Sequence, residues 1–160
     1  MTKDSYRPVI MIVDDEDMVT TSLTNLFRLR THYRTVACNS PLEALARSDG
    51  QAFDLVIADY MMPEMDGIAF LSRFKEAQPL ALRILLTGYA DKESAIRAIN
   101  QVGLYQYIEK PWDNDALLIG VKNALEKGAL LRTLEEKIQE LHSAHASLKD
   151  FRHQLIRAFI

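Results

Sequence analysis

The sequence predicts an α/β fold: a doubly wound, five-stranded parallel sheet with helices on both faces, followed by a C-terminal helical extension. Three observations carry that expectation. Short strand-like runs bounded by turn residues alternate with stretches of helical periodicity five times over. The first and third runs, VIMIV and DLVIA, are almost wholly apolar, the mark of strands covered on both faces. Beyond Gly128 the strand signals stop, and neither glycine nor proline occurs again.

The elements follow in order. Val9–Val13 is the first buried strand, and Leu23, Leu26, Phe27 and Arg30 then recur at helical spacing. Arg34–Cys38 is a weaker, alternating strand, expected nearer an edge. Ser40 and Pro41 read as an N-cap with proline at the first helical position, opening a helix through Ala46. Residues 54–58 form the next buried strand, Gly67–Ala77 a helix, and residues 83–86 (RILL) the fourth strand. Residues 91–102 are expected to be one helix, with Gly103 placed to cap it. Residues 105–108 make the fifth strand, stopped by Pro111, and Asp113 opens a long helix. Strands alternating with helices in this way imply right-handed crossovers and a parallel sheet.

Composition narrows the function. With 160 residues, 48% hydrophobic and 26% charged, the chain can bury a core and suits one domain plus an extension. A formal charge of −3 supplies no basic field, so direct nucleic-acid binding is not expected. Cys38 is the single cysteine, which excludes an internal disulfide and a thiolate cluster; in a strand-like run it reads as a small buried apolar residue. No apolar run approaches a membrane span and the first eight residues lack a signal-peptide core, so the expected location is the cytoplasm.

The chemistry lies at the strand ends. Asp14 and Asp15 follow the first strand directly, and Asp59 follows the third. In a parallel sheet these ends open onto one rim, where ligand crevices form. An isolated aspartate after a strand is more often a helix cap. Three acids converging on one rim repel one another and call for a hard divalent cation, Mg²⁺ or Mn²⁺. Thr87 ends the fourth strand and Lys110 the fifth. A metal, an ammonium and a hydroxyl around a carboxylate make a site for a phosphoryl group, with Asp59 as nucleophile.

Four motifs carry a resemblance: VDDE at residues 13–16, DYMMPEMDG at 59–67, LLTGYA at 85–90 and EKPW at 109–112. In this order and spacing, residues 9–127 resemble the receiver domain of two-component response regulators, a flavodoxin-like fold; residues 128–160 are read as a helical linker. The resemblance implies that Asp59 is the phosphoacceptor, charged by a sensor histidine kinase or a phosphotransfer protein. It implies that Asp15 binds the metal directly, that Asp14 assists, and that the backbone carbonyl of Met61 is a further ligand. Thr87 and Lys110 would bind phosphoryl oxygens, and Tyr107 would be the switch aromatic that turns inward as Thr87 moves. The Lys110–Pro111 bond is expected to be cis, and Gly67 matches the family's turn glycine. Such a domain catalyses its own phosphorylation and slow hydrolysis, and is a signalling device rather than an enzyme of metabolism.

Two positions bear on the lifetime of the phosphorylated state. Met61 and Tyr89 stand two residues after Asp59 and Thr87, and neither side chain readily positions an attacking water. Slow self-dephosphorylation is expected.

The tail carries Leu131, Leu134, Ile138, Leu141, Leu148, Leu155 and Phe159 at alternating steps of three and four or their sums, a heptad seam with His145 and Arg152 as polar interruptions. A parallel homodimer through this helix is expected, passing the signal to an output domain beyond this chain, in the manner of receivers fused to HD-GYP or other cyclic-dinucleotide enzymes. His142 and His145 lack a convincing third metal ligand, and His153 lacks the surroundings of a kinase phosphoacceptor. A competing reading takes Asp15-Glu16-Asp17-Met18-Val19 as the DxDx[TV] pattern of haloacid-dehalogenase phosphohydrolases, with Asp15 as nucleophile and Asp17 as acid-base.

Overall fold

The computed structural model describes residues 6–159, apart from the side chain of Tyr89. Its elements are β1 (Val9–Val13), α1 (Asp17–Arg30), β2 (Arg34–Cys38), α2 (Pro41–Ser48), β3 (Leu55–Asp59), α3 (Gly67–Ala77), β4 (Leu82–Thr87), α4 (Lys92–Ala98), β5 (Gln106–Glu109) and α5 (Asn114–Phe159). The strands form one parallel sheet in the order β2-β1-β3-β4-β5. Chain order therefore reverses between β1 and β3, the place where an open α/β sheet leaves a crevice at its C-terminal rim.

The pleat sorts the core into two layers. Met11 and Val13 of β1 and Val56 and Ala58 of β3 pack with Phe70, Leu71 and Phe74 of α3. Ile10 and Ile12 of β1 and Leu55 and Ile57 of β3 pack on the other face with Leu23 and Phe27 of α1 and Leu117, Val121 and Ala124 of α5. Burial on both faces explains why β1 and β3 read as almost wholly apolar runs, and β4 too is buried throughout despite Arg83. β2 lies at the edge, as expected; its burial does not alternate strictly, with Cys38 in the core and Val36 packed against it. Cys38 is fully buried, and burial pushes its thiol up to about 11.

Local chemistry sets several boundaries. Ser40 caps α2 by accepting from the Glu43 N–H, with Pro41 at the first turn. Asp66 caps α3 through the Ala69 N–H at 2.8 Å. Asp113 caps α5, its carboxylate accepting from the Ala116 N–H at 2.9 Å.

Several strand and helix ends shift by one or two residues, and one element differs in kind from the sequence expectation. Residues 91–102 are not a single helix: a 3₁₀ turn (Tyr89–Asp91) leads into the short α4, and a π turn (Ile99–Gly103) closes it. The Leu104 N–H reaches back five residues to the Ile99 carbonyl, and Gly103 stands at φ +68°, a conformation that favours glycine. The expected capping role of Gly103 is thus met by a wider turn.

The chain divides into two compact units, Met1–Gly128 and Ala129–Ile160, with α5 contributing residues to both. In the first unit α5 buries Leu117, Gly120, Val121, Ala124 and Gly128. In the second, the apolar residues of the seam are exposed. Among the described residues no helix is long and apolar enough to cross a membrane.

Candidate functional site: an acidic rim at the sheet's switch point

Two strands deliver the acids. β1 ends at Val13, and the Asp14 N–H still donates to the Cys38 carbonyl at 3.1 Å, extending the β1–β2 ladder by one step and fixing Asp14 in place. β3 runs through Asp59, which pairs with Leu86 of β4. Carboxylate oxygens of Asp14, Asp15 and Asp59 all lie within 4.8 Å of one another. Asp14 is wholly buried and Asp59 nearly so, whereas Asp15 is exposed.

The fifth strand delivers the cation. Lys110 Nζ lies 2.9 Å from Asp59 Oδ1 and 3.1 Å from Asp14 Oδ2, so one ammonium bridges both buried acids. The Lys110 N–H also donates to the Thr87 carbonyl at 2.8 Å, tying the ends of β4 and β5 together. The Lys110–Pro111 peptide bond is cis.

Burial raises the Asp59 carboxyl above its usual 3.8, Lys110 draws it back, and the charge of Asp15 raises it further. Asp14 is also raised, by burial first; the Glu16 N–H lowers it, Asp59 raises it, and Lys110 lowers it. For Lys110, burial favours the neutral amine, but hydrogen bonds to Asp59 and Asp14 outweigh it and the ammonium is held more firmly than usual. The rim thus carries more negative charge than its one amine balances, in a place where carboxylates are poorly solvated.

A divalent cation fits this donor set. Three carboxylates offer hard oxygen ligands at a solvent-facing rim. Thr87 Oγ1, at the end of β4 one residue past the Asp59–Leu86 pair, is buried without a hydrogen-bond partner, its bonding capacity unspent. The structure therefore brings together Asp14, Asp59 and Lys110 by direct contact, with Asp15 in the same acidic cluster and Thr87 at the adjoining strand end. Tyr107 pairs across the sheet with Leu85, two positions before the Thr87–Glu109 pair, and is half-buried against the core. Met61 extends an exposed side chain just beyond β3. Tyr89 is the exception: its side chain lies outside the described residues.

Gly67 is required by close approach. A Cβ there would overlap the Asp59 carbonyl oxygen and come within 2.8 Å of Leu85 Cδ1, while the Gly67 N–H donates to the Tyr60 carbonyl at 2.8 Å. The glycine lets α3 start against the strand that carries Asp59.

Sequence reasoning missed Asn39. Its amide donates to the Asp14 carbonyl at 3.0 Å and lies 3.4 Å from Thr20 Oγ1, so it braces the acidic loop from behind. Its position immediately after β2, on the same rim, was the available signal.

Fold and rim together define a doubly wound α/β domain with an acidic site at its switch point. The chain belongs to the response regulator receiver domain family, whose model matches residues 10–122. It is 32% identical over 143 residues to the hydrogenase transcriptional regulatory protein HoxA of Cupriavidus necator, covering 89% of this chain and 29% of that protein. It is 36% identical over 135 residues to the regulatory protein AtoC of Escherichia coli, covering 84% and 28%. Among solved structures it is similar to the signal receiver domain of an HD domain-containing protein from Pseudomonas fluorescens Pf-5, at a TM-score of 0.77 and 32% identity over 83% of this chain and 97% of that one. The chain thus spans less than a third of the length of these two curated relatives. The protein is a response-regulator receiver, a signalling domain, and the phosphohydrolase reading finds no support: Asp17, its acid-base, is instead the exposed first residue of α1.

Proposed function

We propose that Asp59 accepts a phosphoryl group from the phosphohistidine of a sensor kinase or a phosphotransfer protein. The observation that carries this is the convergence on Asp59 of Lys110, at 2.9 Å, and two further carboxylates. An Asp59 oxygen attacks phosphorus, the P–N bond to the donor imidazole breaks with its electron pair leaving on nitrogen, and an acyl phosphate remains. Mg²⁺ or Mn²⁺, held by Asp14, Asp15, Asp59 and the Met61 carbonyl, would supply charge neutralisation for the phosphoryl oxygens. Lys110 exchanges its carboxylate partner for a phosphoryl oxygen. Thr87 donates its unspent hydroxyl to another, and Tyr107 turns inward into the space that Thr87 vacates. Met61 and Tyr89 shield the acyl phosphate from water.

Residues 9–127 serve as the switch and residues 128–160 as a helical linker that pairs with a second copy and conveys the change to an output domain, the whole acting in the cytoplasm. The domain catalyses only its own phosphorylation and slow dephosphorylation, without direct nucleic-acid binding of its own. Incubation with acetyl phosphate tests the reading. Intact-mass measurement should show one added phosphoryl group, dependent on Mg²⁺ and lost in Asp59→Asn and Lys110→Ala. Equal labelling of Asp59→Asn would overturn it.

A further inference from the structure

The second unit presents a stripe with an internal asymmetry. Leu131, Leu134, Ile138, Leu141, Leu148 and Leu155 are 38–69% exposed along one helix. With Leu131 at heptad position a, every d position from 134 to 155 is leucine, while His145 and Arg152 occupy a positions. Charge is segregated along the same helix. Glu135, Glu136 and Glu140 outnumber Arg132 and Lys137 in its first half; Lys149, Arg152 and Arg157 fall in its second, opposed there by Asp150 alone.

A parallel pairing in register places His145 against its copy and Arg152 against its copy, and sets Lys137 (g) beside His142 (e) of the partner helix. None of its g–e contacts joins opposite charges. Reversing one helix changes every term. With the twofold axis level with Ser143, Leu131 meets the partner's Leu155, Ile138 meets the partner's Leu148, His145 meets the partner's Leu141 and Arg152 meets the partner's Leu134. Each a–d layer then holds a leucine, and no a–d layer holds two basic side chains; of the basic residues only His142, at a flanking e position, meets its own copy. Glu135 and Lys149, both at e, become cross-helix neighbours twice over, with Arg152 beside the same glutamate. Ala144 faces its copy near the centre, where a small side chain permits close approach.

We infer that residues 129–159 pair with a second copy of this chain in antiparallel orientation, centred on Ser143 and selected by Glu135 against Lys149 and Arg152. The inference rests on the proposal that this helix dimerises, and its test separates the two. A nitroxide on Arg157→Cys in the full chain, with the unsubstituted protein as control for Cys38, reads orientation by pulsed electron resonance. Antiparallel pairing predicts about 42 Å between labels, from a rise of about 1.5 Å per residue, whereas parallel pairing predicts roughly the helix diameter of 10–12 Å plus the label arms. Sedimentation of charge variants supplies the second arm. Glu135→Lys should weaken the dimer about fivefold, two exposed ion pairs at the usual strength, and adding Lys149→Glu should restore it. A short distance without charge rescue overturns the orientation and leaves the dimer standing. A monomer at every concentration overturns both.

Discussion

Asp14, Asp59 and Lys110 form a triangle in which two poorly solvated carboxylates share one amine. Because the native Asp14 carboxyl is raised above 3.8, the folded state keeps a proton over a range where the unfolded chain has already lost it. That contribution to stability is full below 3.8 and is lost as pH rises through the native value. Without metal, Asp14 is therefore a net cost near neutral pH. Asp14→Asn should raise the melting temperature measured in EDTA at neutral pH and flatten its dependence on acidification; a lower melting temperature would contradict this. Added Mg²⁺ should stabilise the parent protein and do less for the variant, since a proposed ligand of the ion has been removed.

Met61 belongs to the same scale. It is 63% exposed two residues past the end of β3, and its thioether carries no group that orients a water molecule. Met61→Asn, which supplies an amide at that place, should accelerate decay of the phosphorylated protein severalfold while leaving its formation unchanged. Decay followed by phosphoprotein gel checks it, and an unchanged rate would remove Met61 from the account of lifetime.

At the scale of elements, what could be read from the sequence depended on whether the signal was local. β1 and β2 match the sequence reading residue for residue, and for β1 the continuous apolar run marks both ends. β3 starts one residue later than expected and ends on Asp59, since pairing with Leu86 outlasts the apolar run. The α4 region resisted because its deciding contact is the Leu104 N–H to Ile99 carbonyl bond, which ordinary helical periodicity does not announce. Arg83 escaped notice for a similar reason. It looks like a solvated strand end, yet it is buried, its guanidinium donating to the Gly103 and Ala81 carbonyls. Caps were more readable: Asp113 receives the Ala116 N–H as its position suggested. Asp113→Ala should cost about 1 kcal/mol in chemical denaturation, by freeing an N–H in the first turn of a helix that packs Leu117 against the sheet.

Across the whole molecule, the candidate site was legible because parallel topology converts sequence position into spatial position. Acids after β1 and at the end of β3 must meet if those strands are neighbours, and the order β2-β1-β3-β4-β5 makes them so. The bracing role of Asn39 and the double contact of Lys110 were not legible, because side-chain reach across the rim depends on loop paths that no local pattern encodes. The exposed stripe beyond Ala129 is the complementary case: its periodicity is plain, but a single chain leaves it uncovered.

The central claim is that Asp59 carries the phosphoryl group. After labelling with acetyl phosphate and Mg²⁺, borohydride reduction of the acyl phosphate followed by peptide mass mapping reads the position directly. The account predicts homoserine at position 59 and unmodified Asp14 and Asp15. Modification at Asp15, with Asp59 untouched, would contradict it.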